Sequence, residues 1–393
     1  MCGEVPAAVR EAAICGAPTP APEAAGAAGV PTPASASVKP RDPTFDVIRI
    51  VAILLVIANH VGDQLLAQTE QLDAGTPALV CYALGRLGVP LFLMLTGILN
   101  IRKQYPQTAD VLHFWRDKTL RLYLQTLAWI LVMYIVDTFI FGYEIPPLTL
   151  VNELFFLHGV PNNNQMWYMP FIIGYFLAIP FVSRLLHAYD LRIFLLPAAL
   201  VFFGASLLPT INVFIVNLNP EVIPSSFGLN MGFFGSYFAL YLLIGYGILE
   251  RCWLRRIPAL ALLVLVVAAL VGAIAFMRWS AQMDDPRGLW YDSPFMLLGG
   301  ISLFLLLLKL CQGRHLPPLT SRLLQRLSQA TLTVFFVHYM VLHLIELWLP
   351  ITPYDYPAAL LLLLGTAVLS FAIAIIISLI ARKTRSMLPN HGQ

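Results

Sequence analysis

From Thr44 to the end of the chain, apolar runs of about twenty residues recur, each close to the length needed to cross the hydrocarbon of a bilayer as a helix. They are set apart by short polar or Pro-rich connections. Spans are expected at about 45–64, 78–101, 118–141, 166–186, 192–209, 231–250, 258–278, 291–311, 328–349 and 357–381, ten in all. In lipid every backbone amide has to be satisfied within its own segment, so the fold class is all-α, a polytopic membrane helix bundle of about ten transmembrane helices. Only 11% of the 393 residues are charged, against about 25% in a soluble domain, and the formal charge of +3 gives no reason to expect nucleic acid.

The basic residues test this layout. Arg102, Lys103, Arg116, Lys118 and Arg121 fall between the second and third spans, and the C-terminal end adds Arg382, Lys383 and Arg385. The opposite side carries only Arg86, Arg278 and Arg287. That asymmetry predicts a multi-pass protein of the inner (cytoplasmic) membrane with both termini in the cytoplasm. Residues 1–41 are Ala, Pro, Gly and Ser with few large apolar side chains and read as a disordered cytoplasmic tail; 42–385 form the membrane domain, and 386–393 a short C-terminal tail. The tail lacks the unbroken apolar core of a signal peptide, so the first helix is expected to stay as an anchor. Five cysteines without a CxxC pair suggest neither a zinc site nor a disulfide framework, and no metal is expected.

The first span, Phe45 to His60, carries one arginine and one histidine. Eleven residues separate Arg49 from His60, or about 1100° of rotation, so both lie on nearly one face, roughly 16 Å apart along the axis. An ionisable group inside a span costs about 2.5 kcal/mol or more unless it faces a partner or a wet cavity, and so marks a candidate site. Asp46 sits one turn before Arg49 and can pair with it, whereas Asp63 can either orient the His60 imidazole or merely cap the helix in solvent. A histidine so held is a plausible general base.

Other motifs each have a bland reading beside the chemical one. Gly88 and Pro90 interrupt the start of the second span, and Thr96-Gly97 offers a small surface for close helix approach. Arg116, Lys118 and Arg121 can grip phosphates of a soluble donor, or can bind lipid headgroups and set topology. Trp167 and Tyr168 suit either an interfacial aromatic belt or stacking under a sugar ring. The ninth span bears Ser328, Thr331, Thr333, His338, His343 and Glu346; His338 lies deep, and neighbouring hydroxyls can satisfy it. Long connections at 142–165 and 210–230, rich in Asn and Pro, can receive a sugar or simply close the bundle.

Taken in order, Arg49 with His60, the Gly88-Val89-Pro90-Leu91-Phe92 and Thr96-Gly97 pieces, the basic run 116–121, Trp167-Tyr168 before Pro170, and Ser328 to His338 resemble the acyltransferase 3 family over about 42–381. Many of its members O-acetylate bacterial polysaccharides. Two positions depart from its pattern: Met166 stands where a histidine is frequent, and Thr96 where serine is usual. Only about a dozen residues follow the last expected span, so no soluble hydrolase-like domain, as in some two-domain members, is expected.

The resemblance implies an acyl donor, acetyl-CoA, as co-substrate, with its phosphates on Arg116, Lys118 and Arg121. It also implies a polysaccharide or lipid-linked glycan acceptor received by Trp167 and Tyr168, with polysaccharide-assembly proteins as possible partners. Arg49 would hold the donor or neutralise charge on the thioester oxygen, and His60 would act as base or transient acyl carrier. Asp46, Asp63, Thr96 and His338 would support them. Three rival readings stay open: a secondary transporter of a sugar or organic anion, a non-catalytic scaffold, and succinyl in place of acetyl transfer.

Overall fold

The computed structural model describes residues 43–67, 77–157, 163–218, 236–250, 256–282, 289–314, 316–348 and 356–387. The expected tail 1–41, the last residues of the C-terminal tail, and the loop positions His158 and 219–230 lie outside the described residues.

Ten apolar helices follow one another: α1 Thr44–Ala67, α2 Ala78–Ile101, α3 Thr108–Phe139, α4 Asn164–Ala188, α5 Leu191–Ile215, α6 Ser236–Glu250, α7 Ala259–Ser280, α8 Pro294–Cys311, α9 Pro318–Trp348 and α10 Tyr356–Met387. Among the described residues, nine are long and apolar enough to cross a membrane, and α6 is the short exception. The segment 192–209, despite Pro197 and Pro209, is the core of the full-length helix Leu191–Ile215. α3 and α9 each begin ten residues before the expected span, because hydropathy marks where lipid begins and not where a helix does. The first residues of α9, 318–327, are exposed or half-buried, so water can serve their free amides.

α1 is the axis of the bundle and packs on α2, α8, α9 and α10. The most apolar stretch of α2 is 72% buried, against 11% for α5, which leans on α6 at the edge. Lipid tails are as apolar as leucine, so helices in a bilayer gain mainly from close packing, and small residues decide where backbones meet. A Cβ on Gly97 would collide with the Leu242 carbonyl of α6, and one on Gly85 with the backbone of Asn59 in α1. These two contacts hold α2 between α1 and α6, and the Gly97 contact is the close approach expected of the Thr96-Gly97 pair.

α2 widens into a π turn at Gly97–Ile101 and α3 at Trp115–Leu120. Such turns free carbonyls and turn side chains aside. Thr96 Oγ1 donates to the Phe92 carbonyl at 2.8 Å, and Asn100 Nδ2 to the Thr96 carbonyl at 3.1 Å. In the turn of α4 loosened by Pro180, the Leu177 carbonyl accepts from Trp115 Nε1 at 3.1 Å. The connection after α3 does not stand free as a loop. Its short helix Pro147–Leu154 lies back along α3, with Tyr134 donating to the Ile145 carbonyl and Tyr123 to that of Leu154, each at 3.2 Å.

Candidate active site

His60 is buried on the face of α1 that meets α9. Its ring centroid lies 5.3 Å from that of His338 and 5.1 Å, edge-on, from that of Tyr339. His338 Nδ1 is 3.1 Å from the Val334 carbonyl, which can only accept, so Nδ1 carries the proton and Nε2 is left as an acceptor. That Nε2 and Nδ1 of His60 are both buried without a hydrogen-bond partner.

The hydroxyls of α9 do not satisfy His338. Thr331 donates to the Ser328 carbonyl at 2.8 Å, and Ser328 Oγ accepts from Arg49 at 3.3 Å. No hydrogen bond joins Asp63 to the unpartnered Nδ1 of His60, so the imidazole is held by ring packing. One turn further along α1, Gln64 Nε2 reaches Tyr339 Oη at 3.3 Å and His343 Nε2 at 2.7 Å.

Arg49 belongs to a separate compartment. Its Nη1 is 3.3 Å from Asp46 Oδ1, so the expected pairing forms, and the guanidinium lines a cavity of about 700 Å³. Lys103, Lys118 and Arg121 share that lining, as do Thr96 and Asn100 beside the π turn of α2. Arg116 is absent from the cavity. Its exposed guanidinium is 2.9 Å from Asp117 and 3.1 Å from His113 Nδ1. Beyond the cationic residues, where Asp117 also takes part, the walls mix apolar Val89, Leu95, Ile172 and Phe176 with Gln125, Gln329, Thr331 and Thr333. A thin, flexible chain with an anionic head fits this donor set; the volume is within the usual range for small-molecule sites.

The cavity ends at Val56, Tyr168 and Phe335. Val56 is four residues before His60, about 6 Å along α1. Neither His60 nor His338 lines the cavity; the Phe335 ring, 5.9 Å from His338 and 5.8 Å from Tyr168, stands between. The rings of the adjacent pair Trp167 and Tyr168 meet edge-on at 5.8 Å. Tyr168 closes the cavity, whereas Trp167 packs with Phe238, Trp290 and Tyr291 beyond it.

Two polar groupings carry no sequence motif. Arg86 is buried among the rings of Tyr82, Trp290 and Tyr291, with its guanidinium carbon 4.5, 4.7 and 5.1 Å from their centroids. Its rarity on the sparsely charged side was the one available signal. Asp137, Glu153, Asn163 and Gln165 are also buried together, with Asn163 Nδ2 donating to Asp137 Oδ2 at 2.7 Å. Burial and the nearby Asp137 carboxylate push Glu153 up to about 7. Among the described residues, no three His, Cys, Asp or Glu side chains are grouped to hold a metal ion.

A family model described as an acyltransferase domain, that of acyltransferase 3, matches residues 42–381, nearly the whole chain. No curated protein and no solved structure matches it.

Proposed function

Since the chain belongs to the acyltransferase 3 family and is a multi-pass membrane acyltransferase, we propose that it moves an acetyl group from cytoplasmic acetyl-CoA to a hydroxyl of a cell-surface or exopolysaccharide sugar. In this reading it sits in the inner membrane with both termini cytoplasmic, and its basic end faces the cytoplasm.

One observation carries the reading: a cavity with a cationic rim runs to within about a helical turn of the buried histidine pair. Phosphates of the donor rest on Lys118, Arg121 and Lys103 through charge-assisted hydrogen bonds, and the pantetheine arm lies between the mixed walls beyond them. Arg49, roughly 16 Å along the axis from His60, is too far away to touch the carbon on which His60 acts. It therefore serves the donor and not the reacting carbonyl. Phe335 and Tyr168 must turn aside for the thioester to pass.

His60 then takes the proton from the sugar hydroxyl as the oxygen attacks the thioester carbonyl. The tetrahedral intermediate collapses with loss of the CoA thiolate, which recovers the proton from the imidazolium. His338, with Nδ1 fixed on a carbonyl, offers Nε2 to a proton on that face.

The test is NMR of surface polysaccharide from cells with the protein, without it, and with His60→Ala. Ester signals present with the wild type and missing in the other two support the proposal, and the mass of the ester group separates acetyl from succinyl. Ester content restored by His60→Ala would remove the base from the scheme.

A further inference from the structure

Among the described residues, Arg86 is the cation that acts electrostatically on His60, and its surroundings are unusual. Gly85 lies against the backbone of Asn59, which sets Arg86 at the level of His60 on the neighbouring helix, close enough to act on its charge. Nη2 donates to Tyr82 Oη at 2.5 Å, and Tyr291 is a second hydrogen-bond partner. Nε is buried and, among the described residues, has no hydrogen-bond partner. Asp63 is within electrostatic reach but forms no ion pair with it.

Tyr291 lies outside the spans, and burial pushes its phenol up, so it provides a hydroxyl and not a counter-charge. A buried guanidinium held only by phenols and ring faces is short of a negative charge. Trp290, 39% exposed, and Trp167 beside it form an aromatic wall leading from this cation to the surface. Rings of this kind stack on the apolar faces of sugars, and a guanidinium binds carboxylate or phosphate in a fork.

We infer that Arg86, Tyr82, Trp290 and Tyr291, with Trp167, form the acceptor subsite, and that it takes a sugar bearing an anionic group, carboxylate or phosphate. This rests on the acyltransferase reading for the word acceptor but not for the binding itself. The anion supplies the charge that Arg86 lacks, and the stacked ring presents a neighbouring hydroxyl toward His60. The donor occupies the other compartment, so the two substrates approach the histidines from opposite ends.

The probes are methyl β-D-glucuronide, glucose 1-phosphate and neutral methyl β-D-glucoside, added to the purified full-length protein in nanodiscs and followed by tryptophan fluorescence. Binding of acetyl-CoA is measured separately by calorimetry. At least one charged sugar should bind about tenfold or more tightly than the neutral one, and Arg86→Gln should abolish that preference while leaving acetyl-CoA binding unchanged. The two charged probes tell carboxylate from phosphate. Trp290→Leu keeps the charge and, if Arg86→Gln does not fold, carries the test: it should weaken charged and neutral sugars alike.

Equal binding of all three sugars, no binding of any, or a preference that survives Arg86→Gln would overturn the inference, as would a Trp290→Leu protein that binds like wild type. A wild type that prefers charged sugars yet binds no acetyl-CoA would instead overturn the acyltransferase reading and leave the subsite standing.

Discussion

His60 on α1 and His338 on α9 face each other with ring centroids 5.3 Å apart, and each keeps a buried ring nitrogen without a hydrogen bond. Two positive imidazoles at that separation would repel by about 3 kcal/mol even at an effective dielectric of about 20, so at most one of the two is the charged imidazolium at a time. A pair of this kind can accept one proton from a hydroxyl and return it within a turnover. His60→Ala is therefore expected to lower kcat by about 10²- to 10⁴-fold with the KM for acyl-CoA little changed. His338→Ala should cost less. Steady-state kinetics on purified variants decide it, and wild-type turnover in His60→Ala would refute the assignment.

The basic run of α3 divides into members that line the cavity and one that does not. Lys118 and Arg121 line it, whereas Arg116 is exposed and engaged with Asp117 and His113. A hydrogen bond to a charged group contributes about 1.5–3 kcal/mol, so Lys118→Ala and Arg121→Ala should each raise the KM for acyl-CoA about tenfold or more. The exposed Arg116–Asp117 pair is screened by water and Arg116 lies outside the cavity, so Arg116→Ala should change the KM by less than about fivefold. Equal effects from all three would mean that the phosphates bind on the exposed surface of α3 and not in the cavity.

How much of this was legible beforehand follows from which forces act locally. Lipid leaves a chain with only helices to form, so ten apolar runs read as ten helices, and the eleven-residue spacing placed Arg49 and His60 on one face of α1. That arithmetic gave no information on what each residue would meet. Arg49 turned out to border a cavity that stops short of His60, because the barrier, Phe335, comes from a helix nearly three hundred residues later. Trp167 and Tyr168 read as one acceptor pair, and their rings do meet at 5.8 Å, but only Tyr168 lines the cavity while Trp167 packs toward Trp290 and Tyr291. Asp63, read either as orienting His60 or as a solvated cap, makes no hydrogen bond to the buried Nδ1 of His60, which packs against the rings of His338 and Tyr339. The cage of Arg86 needs Tyr82 from α2 and Trp290 and Tyr291 from before α8, a meeting that no local pattern encodes.

Glu153 makes the stability of the protein depend on pH. It is buried on the short helix that folds back along α3, facing Asp137, Asn163 and Gln165, and its carboxyl is pushed up to about 7. A group whose folded pKa is raised stabilises fully below its unfolded value of 4.5, and that contribution is lost as the pH rises through about 7. Thermal unfolding in detergent should therefore show the wild type losing stability between about pH 5 and 8. Glu153→Gln should flatten the profile and raise Tm at pH 8. A profile unchanged by Glu153→Gln would assign the titration to another group.

Phe335 separates the cavity from His338, and its removal should be visible without any acceptor. The ring is buried, lines the end of the cavity, and lies 5.9 Å from His338 and 5.8 Å from Tyr168. In the proposed scheme the ring shields a thioester in the cavity from the histidines and from water approaching past them. Phe335→Leu keeps an apolar side chain of similar height but opens the flat face of the barrier. Free-thiol release from acetyl-CoA without sugar should rise several-fold in Phe335→Leu, and fall again when Lys118→Ala is added, since less donor then enters. Thiol release at the wild-type level in Phe335→Leu, in protein that still binds acetyl-CoA, would mean that the thioester reaches His60 by some route other than past Phe335.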